Sequence, residues 1–135
     1  MHKGVRTEMI PATIRKANEA GIFTVGSLIF PAPGDSAATA RETLALLARE
    51  KPGAVTMQAP VIAPRTEWFE ASEKYGIAFK NRDRYLREAM VWKLNLDLPT
   101  VFWPSLPVSV DGRSYKKVLA MTFEFVRMAE QRQAA

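Results

Sequence analysis

Apolar positions change their period several times along the first half of the chain. Ile10, Ile14 and Ala17 recur at spacings of four and three, which is one face of a helix. Thr7 is placed to cap that helix, Glu8 sits at the positive end of its dipole, and Pro11 is tolerated in its first turn. Gly21 is a natural stop, so the pattern predicts a helix over about 8–20. Residues 22–30 then run Ile-Phe-Thr-Val-Gly-Ser-Leu-Ile-Phe. They are β-branched and aromatic with little strict alternation, which predicts a strand buried on both faces, as in a parallel sheet. Pro31 and Pro33 end it by removing ladder donors.

Asp35 or Ser36 is placed to cap a second helix over 37–50, with Ala40, Leu44 and Leu47 on its apolar face. Pro52 and Gly53 are expected to stop it, and 54–59 reads as a second short strand closed by Pro60. Helix, strand, helix and strand then alternate as in parallel crossovers. Thr66 is placed to cap a helix over 67–75, stopped by Gly76. Asp83 is placed to cap another helix reaching about Leu94, with Leu86, Met90 and Leu94 as its apolar stripe. The irregular stretch 99–107 carries Phe102 and Trp103 between prolines, and its aromatic rings are expected to pack a tail onto the core. Asp111-Gly112 marks a tight turn. Ser114 then opens a closing helix from Tyr115 to about Gln131, with Val118, Leu119, Thr122, Phe125, Val126 and Ala129 on one face and fraying expected beyond.

Composition narrows the chemistry. The 135 residues amount to one domain's worth, with 47% hydrophobic and 24% charged positions, an ordinary soluble composition. There is no cysteine and a single histidine, His2. The chain therefore has no disulfide and no thiolate ligand for zinc or an iron–sulfur cluster, and no histidine-based metal site is expected. We expect no signal peptide, because the N-terminus lacks an apolar core segment, and no membrane span; the expected location is cytoplasmic. Net charge is +5, and six basic residues lie within 74–93 (Lys74, Lys80, Arg82, Arg84, Arg87, Lys93) against Asp83 and Glu88. A nucleic-acid stripe is one reading of that segment, but a solvated helix face with internal pairing is the favoured one.

Two strand ends are the candidate sites. In open α/β architectures ligands bind beyond the C-terminal ends of the strands. The turn 31–36 would present helix amides, and Gln58 offers two donors and an acceptor to a ligand edge. Two parallel strands do not make a viable sheet by themselves, because edges with unpaired backbone groups remain. Nothing after Pro60 reads as a comparable strand, so the pattern implies part of a larger α/β barrel.

The ordered motifs resemble a family. Lys3-Gly-Val-Arg-Thr7, the helix ending Ala17-Asn-Glu-Ala-Gly-Ile22, and Val25-Gly-Ser-Leu-Ile-Phe30 running into Pro33-Gly-Asp-Ser36 are similar to the second half of a radical S-adenosylmethionine enzyme core. Glu42-Thr-Leu-Ala-Leu-Leu47, Pro64-Arg-Thr66 and Tyr75-Gly-Ile77 follow in the family's order. Trp103, Leu106-Pro107, Asp111-Gly-Arg-Ser-Tyr115 and the closing helix are similar to extensions on its cobalamin-binding branch. Three departures stand out: Pro31 replaces a glycine, Asp35-Ser36 replaces Glu-Thr, and Arg65 replaces the glycine of a Pro-Gly-Thr turn.

The resemblance implies an α/β fold that is the C-terminal part of a partial (β/α)6 TIM-like barrel. Residues 1–77 would hold two parallel strands, at about 22–30 and 54–60, and residues 78–135 a basic, aromatic, mostly helical extension. It implies S-adenosylmethionine contacts at Ile29, Pro31, Gly34 and Gln58, and a substrate pocket shaped by Arg65, Phe102 and Trp103. The family's four-iron–four-sulfur cluster, and cobalamin on one branch, would belong to a complete protein, since the CxxxCxxC loop is not in this sequence. No catalytic residue and no metal ligand are expected here. The implied partner is an N-terminal radical S-adenosylmethionine half, with a small-molecule substrate. The alternative is a stand-alone basic α/β module for an anionic partner such as RNA.

Overall fold

In a computed structural model the fold is described for residues 6–94 and 105–134. The chain divides into two compact units, one of residues 1–59 and 121–135, the other of residues 60–120.

The first unit is built on a parallel crossover. Helix α1 spans Met9–Glu19, strand β1 Val25–Ile29, helix α2 Ala37–Glu50 and strand β2 Ala54–Gln58. β1 and β2 pair in parallel from Val25↔Ala54 to Ile29↔Gln58. α2 starts where its cap chemistry dictates. The Ser36 hydroxyl accepts from Thr39 N–H, and the Thr39 hydroxyl accepts from Ser36 N–H, a reciprocal capping box. Its far end closes on Lys51 in the left-handed region (φ 45°), one residue before the expected Pro52-Gly53 stop.

One face of this sheet carries the core. Leu28, Phe30, Val55, Met57 and Ala40 pack against buried Leu44, Leu47, Phe125 and Ala129. Phe125 and Ala129 come from helix α5, which spans Tyr115–Ala134 and contributes residues from 121 onward to this unit. The Phe30 and Phe125 rings stack with centroids 4.3 Å apart. The expected apolar stripe of the closing helix is therefore found where its spacing placed it. The helix also continues three residues beyond Gln131, where fraying was expected.

α1 docks differently. No residue of it is buried, and Ile10 on its apolar stripe is 39% exposed. Its link to α2 is polar: Arg15 Nη1 donates to both oxygens of the buried Glu50 carboxylate at 2.8 and 2.9 Å, and Asn18 Nδ2 donates to Glu50 O at 2.9 Å. Arg49 Nε adds a bond of 2.6 Å. The Arg49 hydrogen bond, with Arg15 beside it, holds the Glu50 carboxyl below the usual carboxylate range. A depressed carboxylate stabilises the fold above the ordinary carboxylate pKa, and that stabilisation fades as pH falls through the folded value. Thr7 does not cap α1: the N-cap position is Glu8, with no side-chain cap bond.

The second unit holds three strands that the apolar pattern did not predict. β3 (Ile77–Phe79), β4 (Val108–Val110) and β5 (Arg113–Ser114) form an antiparallel sheet with β4 in the middle. They are only two or three residues long, too short to show a period. The turn between β4 and β5 is Asp111-Gly112, both at positive φ (49° and 71°), a two-residue hairpin of the type that Asp-Gly favours. Gly76 sits at φ 63°, and a Cβ there would come within 2.5 Å of Asp111 Oδ1, so glycine serves both the backbone and the close approach.

Helix α3 (Glu67–Glu70) gives way to a 3₁₀ turn over Ser72–Tyr75, so the single helix expected over 67–75 is broken. Thr66 does not cap it; its hydroxyl donates instead to Ala63 O at 2.6 Å. Helix α4 (Arg82–Leu94) is capped by Asn81, whose Oδ1 accepts from Arg84 N–H at 2.8 Å, not by Asp83. Its inward face is Tyr85 and Ala89, whereas Met90 of the expected stripe is 76% exposed. Tyr85 is fully buried, and its hydroxyl oxygen accepts from Ile62 N–H at 2.7 Å. Phe69, Phe79 and Tyr85 form an aromatic row, with ring centroids 5.3 and 4.9 Å apart along it. Segment 95–104, including the Phe102 and Trp103 expected to pack onto the core, lies outside the described residues.

Two outcomes follow from this packing. Phe125→Ala should lower unfolding stability by about 3–5 kcal/mol, read from chemical denaturation, because it removes the ring that Phe30, Leu44 and Leu47 pack against. Burial pushes the Tyr85 phenol up to about 12. A phenol whose folded pKa exceeds its unfolded value near 10 leaves stability intact below pH 10. That stability should then decline as pH rises from about 10 to 12, and tyrosinate absorbance and circular dichroism should change together over that interval.

Candidate functional site

The sheet of the first unit has two unlike faces. Gly26, Leu28, Val55 and Met57 point toward the core, as strand alternation requires. Val25, Ser27 and Ile29, beside Ala54, Thr56 and Gln58, point the other way. That second face is open: Val25 is 56% and Ile29 44% exposed, and Ser27, Thr56 and Gln58 are exposed as well. The expectation of strands buried on both faces is corrected here. With two strands and helices packed on one side, nothing among the described residues of this unit covers the other. The face carries no ionisable group, and the side chains of Ser27, Thr56 and Gln58 make no hydrogen bond within the described residues.

Three of the four residues picked out for S-adenosylmethionine contact lie at or beside the C-terminal end of this sheet. Ile29 and Gln58 are register partners on the open face. The chain then turns through Pro31, whose ring is fully buried and which follows Phe30 through a cis peptide bond. Phe30 N–H donates to Gln58 O at 3.0 Å, which extends the ladder one step past the strand. The fourth, Gly34, is exposed at the tip of the turn with φ 85°, and a Cβ there would meet nothing within 4 Å.

The turn is braced from within and from behind. Asp35 Oδ2 accepts from Ala32 N–H at 2.7 Å, and Asp35 Oδ1 accepts from the Thr39 hydroxyl at 3.1 Å. From α5, the Thr122 hydroxyl donates to Phe30 O. Ala40 N–H reaches Ser36 O, and Thr39 N–H reaches the Ser36 hydroxyl, so part of the helix N-terminus is already satisfied by the capping box. The end of β1 is thus held rigidly, and the groups it offers outward are neutral: an aliphatic side chain, a carboxamide and two hydroxyls.

Ser27, Thr56 and Thr122 were not picked out from the sequence. The alternation Val25, Ser27, Ile29 was there to be read, but the flanking Ile22, Phe23, Leu28 and Phe30 disguise it as a continuous apolar run. Thr122 stands on the apolar stripe of α5, and only the fold shows its bond to the turn.

Three of the basic residues in segment 74–93, Lys74, Arg82 and Arg84, are engaged within their own unit. Lys74 Nζ pairs with Glu67 at 3.1 Å, and Arg84 Nε pairs with Glu88 at 2.6 Å. Arg82 lies over the Phe69 and Phe79 rings, 5.2 and 5.4 Å from their centroids, and donates to the Ser72 hydroxyl. The same unit also has an apolar groove of about 240 Å³ between Val61, Ile62, Ala63 and Pro64 on one side and Leu86, Ala89 and Met90 of α4 on the other. Its volume is below the usual range of small-molecule sites.

Comparison with protein-family models, curated proteins and solved structures gives no match. Among the described residues no group of three or more His, Asp or Glu side chains is arranged to hold a metal, and no helix is long and apolar enough to cross a membrane. With no cysteine, the chain does not fit an iron–sulfur cluster.

The brace behind the turn has a measurable consequence. Thr122→Val keeps the shape but leaves the Phe30 carbonyl without that donor. It should cost about 1–3 kcal/mol of unfolding free energy, and hydrogen exchange should rise first at the amides of 30–36.

Proposed function

We propose that this chain is the C-terminal part of a radical S-adenosylmethionine enzyme. In this reading it supplies strands five and six of a partial (β/α)6 barrel, with a wall of the cofactor and substrate pockets on its open sheet face. The observation that carries the reading is the two-stranded parallel sheet with helices on one face and an uncharged, hydrogen-bonding face on the other. A barrel wall has the first part of this asymmetry: helices outside, and alternate strand residues, here Val25 and Ile29 among them, turned toward the interior.

The order of motifs from Lys3 to Ile77 supports the same reading. So does the gathering of Ile29 and Gln58 beside the turn 31–36. The Gln58 carboxamide suits a nucleobase edge, offering donor and acceptor together. Ile29 offers an apolar surface beside it. The cluster that would reduce the cofactor needs thiolates, and another chain or segment carrying a CxxxCxxC loop would supply them. The chain's own part is to seat the nucleoside, shape the substrate pocket and close the barrel.

The test is ligand titration followed by amide NMR. S-adenosylmethionine at millimolar concentration should shift the amides of Ile29, Gly34 and Gln58 together. Gln58→Ala should weaken the apparent affinity about fivefold, the equivalent of one lost neutral hydrogen bond. Shifts absent from these positions, or confined to the basic segment 74–93, would overturn the reading. So would 5′-deoxyadenosine formed by the purified chain alone after treatment with iron, sulfide and reductant.

A further inference from the structure

Helix α1 is attached to its unit chiefly through groups that water can also serve. It packs against α2 yet buries no residue, and Pro11, Ala12, Ile14 and Ala17 are only half-buried. Its side-chain bonds to α2 all reach the last turn of that helix. Arg15 Nη1 donates to both Glu50 carboxylate oxygens, and Asn18 Nδ2 donates to the carbonyl oxygens of Glu50 and Lys51 at 2.9 and 3.3 Å. The Glu50 side chain is 1% exposed, whereas that of Arg15 is 55% exposed. Arg49, on α2 itself, bonds the same carboxylate at 2.6 Å. Departure of α1 would therefore leave Glu50 beside a cation and open to water, not stranded without a partner.

The connection to β1 has the form of a hinge. Ile22 N–H reaches Ala17 O at 2.8 Å and Gly21 N–H reaches Asn18 O at 3.0 Å, with Gly21 at φ 69°, so the helix closes its own C-terminal end. The chain is next fixed at Thr24, whose carbonyl accepts from Ala54 N–H at 2.9 Å and whose hydroxyl accepts from Gly53 N–H at 3.3 Å. Only Ile22 and Phe23 lie between, 61% and 72% exposed. We infer that α1 is a strap that leaves and returns as one unit about Ile22 and Phe23, latched by the Glu50 carboxylate, while α2 and the sheet stay folded. The open state bares the last turn of α2, with its carbonyls and the Arg49–Glu50 pair, to solvent. A helix of eleven residues is marginal by itself in water, so release also melts it and frees its amides together.

Amide hydrogen exchange of the full chain, without ligand, tests this. In the wild type, residues 13–20 should share one protection factor, about tenfold or more below that of the slowest amides of α2. A helix that merely frays would show protection graded along its length. Arg15→Gln keeps helix propensity and leaves Glu50 paired with Arg49. It should speed exchange over 13–20 by about tenfold, as expected for loss of hydrogen bonds to a charged group, and leave α2 within about twofold. Glu50→Gln removes the other side of the latch and should act in the same way. The double variant should exchange no faster than the faster single one, because both remove one interaction. Graded protection over 13–20, exchange of α1 in step with α2, or rates over 13–20 unmoved by Arg15→Gln would each overturn the inference. So would a double variant whose acceleration is the product of the two single ones. These readouts lie away from Ile29, Gly34 and Gln58, so this inference and the S-adenosylmethionine reading can fail separately.

Discussion

A parallel pair of strands leaves half of its own backbone unserved. Each strand bonds along one edge and presents the other edge's N–H and C=O groups to whatever lies beside it. In this protein β1 and β2 pair with each other along one edge and carry helices on one face only. The stacking of Phe30 on Phe125 joins sheet, α2 and α5 into one core, and the Thr122 hydroxyl ties the same helix to the Phe30 carbonyl. Everything on the open side follows from how firmly the closed side is held. Because the covered face is rigid, the uncovered one keeps Ile29 and Gln58 in register, and the turn after β1 has a fixed position.

How far the sequence could be read depended on element length. The α2 boundaries, 37–50, could be read directly because a Ser-x-x-Thr cap opens a fourteen-residue amphipathic run. α5 was legible for the same reason, with its stripe from Val118 to Ala129. The strands β3, β4 and β5 were not, since two or three residues carry no period; only the Asp111-Gly112 turn announced a hairpin. Caps were misread where a competing bond was closer. Thr66 turned back to Ala63, and Asn81 took the position assigned to Asp83. In α4 the apparent stripe through Leu86 and Met90 lost to Tyr85, whose ring and hydroxyl both find partners in the interior. A tyrosine counts as polar in a simple pattern, yet it buries more surface than either aliphatic residue.

For the candidate site, the residue types were legible and the face they share was not. Gln58 and Ile29 could be picked as strand-end residues, but their pairing depends on register, and a slip of one residue would have sent one of them to the core. The nearly continuous apolar run over 22–30 concealed that β1 is a one-sided strand. Its outward apolar residues are exposed because nothing among the described residues packs on that face, and nothing local to the run encodes which face is covered.

α1 illustrates the complementary point. Its helical period is plain, yet none of its residues is buried, and a buried carboxylate does the docking instead. Glu50 sits at the last turn of α2, where the helix dipole disfavours a negative charge. The two guanidiniums of Arg15 and Arg49 more than offset that, as its lowered pKa records. Directional bonds of this kind fix the angle of a helix without consuming its apolar face. Ile10 and Met9 consequently stay exposed, as Val25 and Ile29 do on the sheet. The first unit therefore carries exposed apolar surface on both its sheet and its outer helix. The polar links from Arg15 and Arg49 to Glu50 and from Thr122 to Phe30 thus set helix positions that burial of apolar surface does not set.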